Sequence, residues 1–76
     1  MSVERIVADI LGVPVQEIRD SSSPREYPQW DSAAHIEIIL SAEQEYGMTF
    51  APEEMVEAMS VGALRETLRR KGARIE

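Results

Sequence analysis

The chain has 76 residues, a formal net charge of -6 and no cysteine. This length fits one small domain over residues 1–76, and the lack of thiols excludes disulfides, thiolate metal sites and cysteine nucleophiles. The acidic balance argues against nucleic acid and anionic membrane surfaces as partners and favours basic protein surfaces.

The first predicted helix starts after Ser2, whose hydroxyl suits the N-cap position. Gly12 is a typical helix stop. The apolar residues between them recur at helical spacing and define one buried face. They are Val3, Ile6, Val7, Ile10 and Leu11.

A long connection without regular structure is predicted between Gly12 and Asp31, because Pro14, Ser21-Ser22-Ser23-Pro24 and Pro28 interrupt it. Such a segment needs anchors if it belongs to a compact domain. We expect its apolar residues to pack inward and supply them. These residues are Val13, Val15 and Ile18.

The second predicted helix runs between an N-cap at Asp31 and a stop at Gly47. The spacing predicts an apolar face made of Ile36, Ile39, Leu40 and Tyr46, with Ile38 and Ala42 alongside. An acidic outer face is predicted at Glu37, Glu43, Gln44 and Glu45. Ser32 lies in the first turn, where the helix dipole and unpaired amides favour a phosphate ester.

Two further helices are predicted. Pro52 suits the first position of a short helix that extends to Ala58, and Ser60 is the N-cap of the last. The last helix buries Val61, Leu64 and Leu68, pairs Glu66 with Arg70, and stops at Gly72. We expect residues 72–76 to form a loose tail.

Several of these segments, taken together, resemble the acyl carrier protein family. Trp30-Asp31-Ser32 before a helix resembles the family's attachment motif, and Glu43-Gln44-Glu45-Tyr46-Gly47 resembles the end of that helix. Phe50-Ala51-Pro52-Glu53-Glu54 and Ser60-Val61-Gly62-Ala63-Leu64 resemble the segments that follow. The resemblance covers nearly the whole chain.

The resemblance implies an all-α, small four-helix bundle with a long first loop and a short third helix. It implies that Ser32 carries 4'-phosphopantetheine covalently, with Asp31 in a supporting role, and that the protein is no enzyme and holds no metal. A phosphopantetheinyl transferase would attach the group, and an acyl-loading ligase or acyltransferase and later biosynthetic enzymes would act on it. We expect these enzymes to dock on Glu37, Glu43, Ile36 and Leu40.

The sequence does not identify the carried group. The resemblance implies an acyl group and polyketide or fatty acid biosynthesis. Trp30, Ala33 and Ala42 make the chain less similar to a housekeeping fatty-acid carrier, which favours a specialised biosynthetic pathway. The alternatives are an aminoacyl or peptidyl carrier of a nonribosomal pathway and an unmodified helical interaction module. No secretion signal or membrane-spanning run is present, so we expect a cytoplasmic monomer.

Histidine, tryptophan and methionine residues of the chain are predicted to have structural roles. His35 has no second histidine or cysteine beside it, which favours a partly buried, hydrogen-bonded histidine over a metal ligand. We expect Trp30 to be buried, filling volume left by Ala33 and Ala42. Adaptable core packing is predicted for Met48, Met55 and Met59.

Overall fold

Four α-helices and no strand make up the regular structure of residues 2–75, the part that the computed structural model describes. The helices are α1 (Val3–Leu11), α2 (Ser32–Tyr46), α3 (Pro52–Glu57) and α4 (Val61–Arg70). A short 3-10 helix, Val15–Glu17, lies in the long first connection. The predicted all-α bundle with a short third helix is confirmed.

The helix ends agree with the capping residues predicted from the sequence. The side chains of Ser2, Asp31 and Ser60 accept hydrogen bonds from amides in the first turns of α1, α2 and α4. Gly12 and Gly47 end α1 and α2 in the left-handed conformation, with φ of 72° and 67°. The bounds of these helices are therefore set by local sequence.

The buried face of α2 differs from the predicted one. Ile36 and Leu40 were assigned to the apolar face, but they are 48% and 54% exposed. The residues that pack into the core are Ala34, His35, Ile38, Ile39 and Ala42. Apolar residues occur on more than one side of this helix, so spacing alone does not choose the buried side. Packing against α1 and the rest of the core determines it.

The long connection is anchored in two ways. Ile18 is buried, and Val13 and Val15 pack against the core, as predicted. A second anchor was missed: the Val61 and Gly62 amides at the start of α4 donate to the carbonyls of Ser22 and Asp20 at 3.0 and 2.9 Å. A side chain at position 62 would bring its Cβ within 3.2 Å of the Asp20 backbone, so glycine permits this close approach.

Charged residues of α4 hold the neighbouring segments. The largely buried Arg65 side chain bonds to Glu4 of α1 and Asp20 of the connection. The predicted Glu66–Arg70 pair is wrong, because Glu66 bonds to Arg69 at 2.9 Å and Arg70 reaches Glu57 of α3 at 3.3 Å. An arginine side chain is long enough to reach several acidic residues, and the position of α3 determines that Arg70 pairs with Glu57.

The segment predicted as a loose tail contacts the bundle over part of its length. Ala73 and Ile75 pack partly buried against the core. The Ala73 amide also donates to the Leu68 carbonyl at 2.9 Å. Glu76, the last residue of the predicted tail, lies outside the described residues.

Candidate functional site

Ser32 is the first residue of α2 and is exposed. Asp31 precedes it in an extended conformation, and its Oδ1 accepts from the Ala34 amide at 2.9 Å. Because Asp31 caps the helix, the Ser32 hydroxyl is not needed for that purpose. The exposed hydroxyl lies where the unpaired amides and the helix dipole favour an attached phosphate.

The other serines differ from Ser32. Four of them accept hydrogen bonds from backbone amides: Ser2, Ser22, Ser23 and Ser60. Within residues 2–75, the hydroxyls of Ser21 and Ser41 make no hydrogen bond, but Ser21 lies in the connection and Ser41 in the middle of α2. Ser32 is the serine that combines an unbonded hydroxyl with a place at a helix start.

An apolar groove of about 700 Å³ opens beside Ser32, between the start of α2 and α3. Pro24, Trp30 and Ile36 line one side, and Pro52, Met55, Val56 and Met59 line the other. Val56 is 73% and Met59 42% exposed, so this wall faces solvent. Met48 and Met55 are partly buried as predicted, whereas the core role predicted for Met59 is wrong.

Trp30 and His35 form a buried pair at this groove. Trp30 is 3% exposed and its ring stacks on His35, with centroids 6.0 Å apart. The indole Nε1–H donates to His35 Nδ1 at 3.0 Å, and His35 Nε2 lies 2.9 Å from the Met55 carbonyl. Nε2 must therefore carry the proton and donate to that carbonyl. The predicted burial of Trp30 and the structural role of His35 are confirmed.

The reason given for Trp30 burial is partly wrong. Ala42 is fully buried, but Ala33 is exposed, so a small residue at position 33 leaves no space in the core. The exposed side of α2 decides this, because position 33 lies on the same side as Ile36 and Leu40. Trp30 therefore does not fill space left by two small residues, because only Ala42 lies in the core.

The comparisons with known proteins agree with this geometry. A family model described as the phosphopantetheine attachment site matches residues 2–68. The chain belongs to this phosphopantetheine-binding family. Members carry 4'-phosphopantetheine covalently on a serine and are carriers without catalytic activity. They interact with phosphopantetheinyl transferase and with biosynthetic enzymes. No curated protein matched the chain.

The residues of this carrier fit the group that its family bears. An exposed serine hydroxyl at a helix start offers an oxygen for a phosphodiester, and the adjacent groove offers apolar surface. When attached, phosphopantetheine supplies a terminal thiol that holds cargo as a thioester. Within residues 2–75, no helix combines the length and apolar character needed to cross a bilayer.

The residues predicted for docking fall into two groups. Ile36, Glu37 and Leu40 lie exposed on the side of α2 below Ser32. Glu43 is half-buried, and its carboxylate accepts from the Phe50 amide at 2.7 Å. This bond closes the turn after α2, so Glu43 contributes to the fold whether or not it meets a partner. Sequence spacing contained no signal for this role.

Proposed function

We propose that Ser32 is the attachment serine and that the carrier holds an acyl group as a thioester on its phosphopantetheine. The assignment rests on the different roles of two neighbouring residues at the start of α2. Asp31 caps the first turn by accepting from the Ala34 amide, and the Ser32 hydroxyl is exposed and unbonded. The family match covers all seven serines and so does not choose among them.

The groove favours an acyl over an aminoacyl cargo. Its polar ring nitrogens are already paired, since Trp30 bonds to His35 and His35 bonds to the Met55 carbonyl. An apolar chain against Met55, Val56 and Met59 would therefore leave no polar atom without a partner. A charged ammonium group against these three side chains would lose hydration without gaining a hydrogen bond. The one carboxylate among the lining residues, Asp31, belongs to the start of α2 and already accepts from the Ala34 amide.

Partner enzymes are proposed to meet the exposed side of α2. Ile36 and Leu40 supply apolar contact on the helix that begins at Ser32, and Glu37 supplies charge for basic surfaces. Charge complementarity of this kind speeds encounter without making a complex tight. A carrier that must leave each enzyme after one step benefits from weak contacts.

Intact mass spectrometry tests the attachment site. The purified apo protein is incubated with a phosphopantetheinyl transferase, coenzyme A and Mg²⁺, and we expect the mass gain of one phosphopantetheine. Ser32→Ala should abolish the gain without unfolding the domain, because Asp31 keeps the cap and alanine is a good helix former. The matched control is Ser2→Ala, which also removes a hydroxyl from a helix start.

Modification that survives in Ser32→Ala would refute the assignment. No gain in the wild-type protein, with an authentic carrier modified in parallel, would favour the unmodified interaction module. To separate the cargo classes, the transferase can attach acyl- or aminoacyl-phosphopantetheine from the matching coenzyme A thioester. An acyl cargo should shift the methyl resonances of Met55 and Met59 but not that of Met48, which lies outside the groove. Equal shifts with both cargoes would remove the preference for acyl groups.

A further inference from the structure

The short helix α3 is weakly held for a segment that forms one wall of the groove. It has six residues, and none of them is buried. A helix of this length is not stable alone, so contacts with neighbours must hold it. Two ion pairs tie it to α4: Glu54 with Lys71 at 2.8 Å and Glu57 with Arg70 at 3.3 Å.

On the side of α2, one described hydrogen bond holds α3. It runs from His35 Nε2–H to the Met55 carbonyl. Because α3 ends at Glu57, no intrahelical amide four residues further on is available to this carbonyl. The Met55 carbonyl therefore takes its donor from α2. This bond links the groove wall directly to α2.

His35 can donate at Nε2 in its neutral form only if Nδ1 is unprotonated and accepts. The indole Nε1–H of Trp30 meets Nδ1 at 3.0 Å and fixes this tautomer. Both rings are buried, so water does not readily replace the bond between them. The two bonds form a chain, Trp30–His35–Met55, that connects the residue before Asp31 to α3.

We propose that Trp30 and His35 are positioning residues, which hold α3 against the start of α2 and so set the width of the groove beside Ser32. The proposal rests on the proposed function only in taking Ser32 as the attachment site. The Trp30–His35–Met55 chain keeps one wall of the cargo groove in place, while the exposed side of α2 remains available to enzymes. The apo protein suffices to test it.

The first test needs no mutation. Nitrogen-15 NMR of the histidine ring in the wild-type apo protein reports which nitrogen carries the proton. We expect a protonated Nε2 and an unprotonated Nδ1, with a scalar coupling across the hydrogen bond from Nε2–H to the Met55 carbonyl. A protonated Nδ1 would overturn the proposal, because that nitrogen would then be unable to accept from the indole.

The second test separates positioning from general stabilisation. His35→Gln can keep a donor near the Nε2 position, whereas His35→Asn keeps an acceptor near Nδ1 but is too short to reach Met55. In His35→Asn we expect the Ala58 amide, which bonds to Glu54 across the end of α3, to exchange with solvent about fivefold faster. This is the factor expected for one net hydrogen bond. His35→Gln should restore slow exchange.

Two internal references make the result specific. The Leu64 amide of α4 reports general destabilisation, and the Met48 methyl group reports changes away from the groove. In His35→Asn, the Met55 and Met59 methyl resonances should move more than that of Met48. Equal behaviour of the Asn and Gln variants, or equal acceleration at Ala58 and Leu64, would overturn the positioning role. If neither variant folds, the tautomer measurement on the wild-type protein still tests the proposal. None of these readouts depends on whether Ser32 is modified.

Discussion

Replacing Glu43 by alanine should destabilise the fold, although Glu43 was predicted as a docking residue. Its carboxylate accepts from the Phe50 amide at 2.7 Å, and Phe50 is only 8% exposed. Alanine would leave this amide without its charged acceptor. Hydrogen bonds to charged groups contribute about 1.5 to 3 kcal/mol. For a domain of this size, that loss corresponds to a fall in Tm of roughly 6 to 24 °C.

Thermal unfolding followed by circular dichroism measures this effect. Glu37→Ala is the matched control, because Glu37 lies exposed on the same helix and makes no described hydrogen bond within residues 2–75. Its substitution should change the free energy of unfolding by no more than about 0.5 kcal/mol. Glu43→Gln, which keeps a neutral acceptor, should fall between the two. Equal Tm values for the Glu43→Ala and Glu37→Ala variants would refute the structural role of Glu43.

Three further predictions follow from the described contacts. Trp30→Ala should lower the free energy of unfolding by about 3 to 5 kcal/mol in urea titrations, and wild-type tryptophan emission should be blue-shifted; a red-shifted spectrum would contradict its burial. The hydrogen bond from Lys71 holds the pKa of Glu54 below its ordinary value of 4.5, so the stability from this pair should be present above pH 4.5 and lost as the pH falls through the lowered pKa. Lys71→Met should flatten that acid dependence, and an unchanged slope would count against the pair. Glu37→Lys should slow loading by partner enzymes and weaken its salt dependence, whereas unchanged rates at low ionic strength would make Glu37 an ordinary surface residue.

The positions of the helices and the candidate attachment serine could be read from sequence because the signals are local. Asp31 caps α2 by bonding to an amide three residues away, and Gly47 ends the same helix through its own backbone conformation. Such bonds need no distant partner. The same local signals place Ser32 in the first turn of α2, so its position at a helix start needs no tertiary contact.

The sequence did not predict features whose partners are distant in the chain. Glu43 was assigned by its place on the helix surface, but the Phe50 amide lies beyond the turn that follows. Ile36 and Leu40 have the spacing of a helical apolar face, but they lie on the exposed side of α2. Only packing against the other helices separates buried from exposed positions on a helix with apolar residues on several sides.

The sequence by itself therefore determined the helices, their caps and the serine at the start of α2, because each depends on residues within one turn. The tertiary structure decided which side of α2 is free for partners and how Trp30 and His35 reach the Met55 carbonyl. It also decided that α4 anchors the first connection through Gly62 and Asp20. These features require segments far apart in sequence to approach within hydrogen-bond distance, and the packed core brings them there.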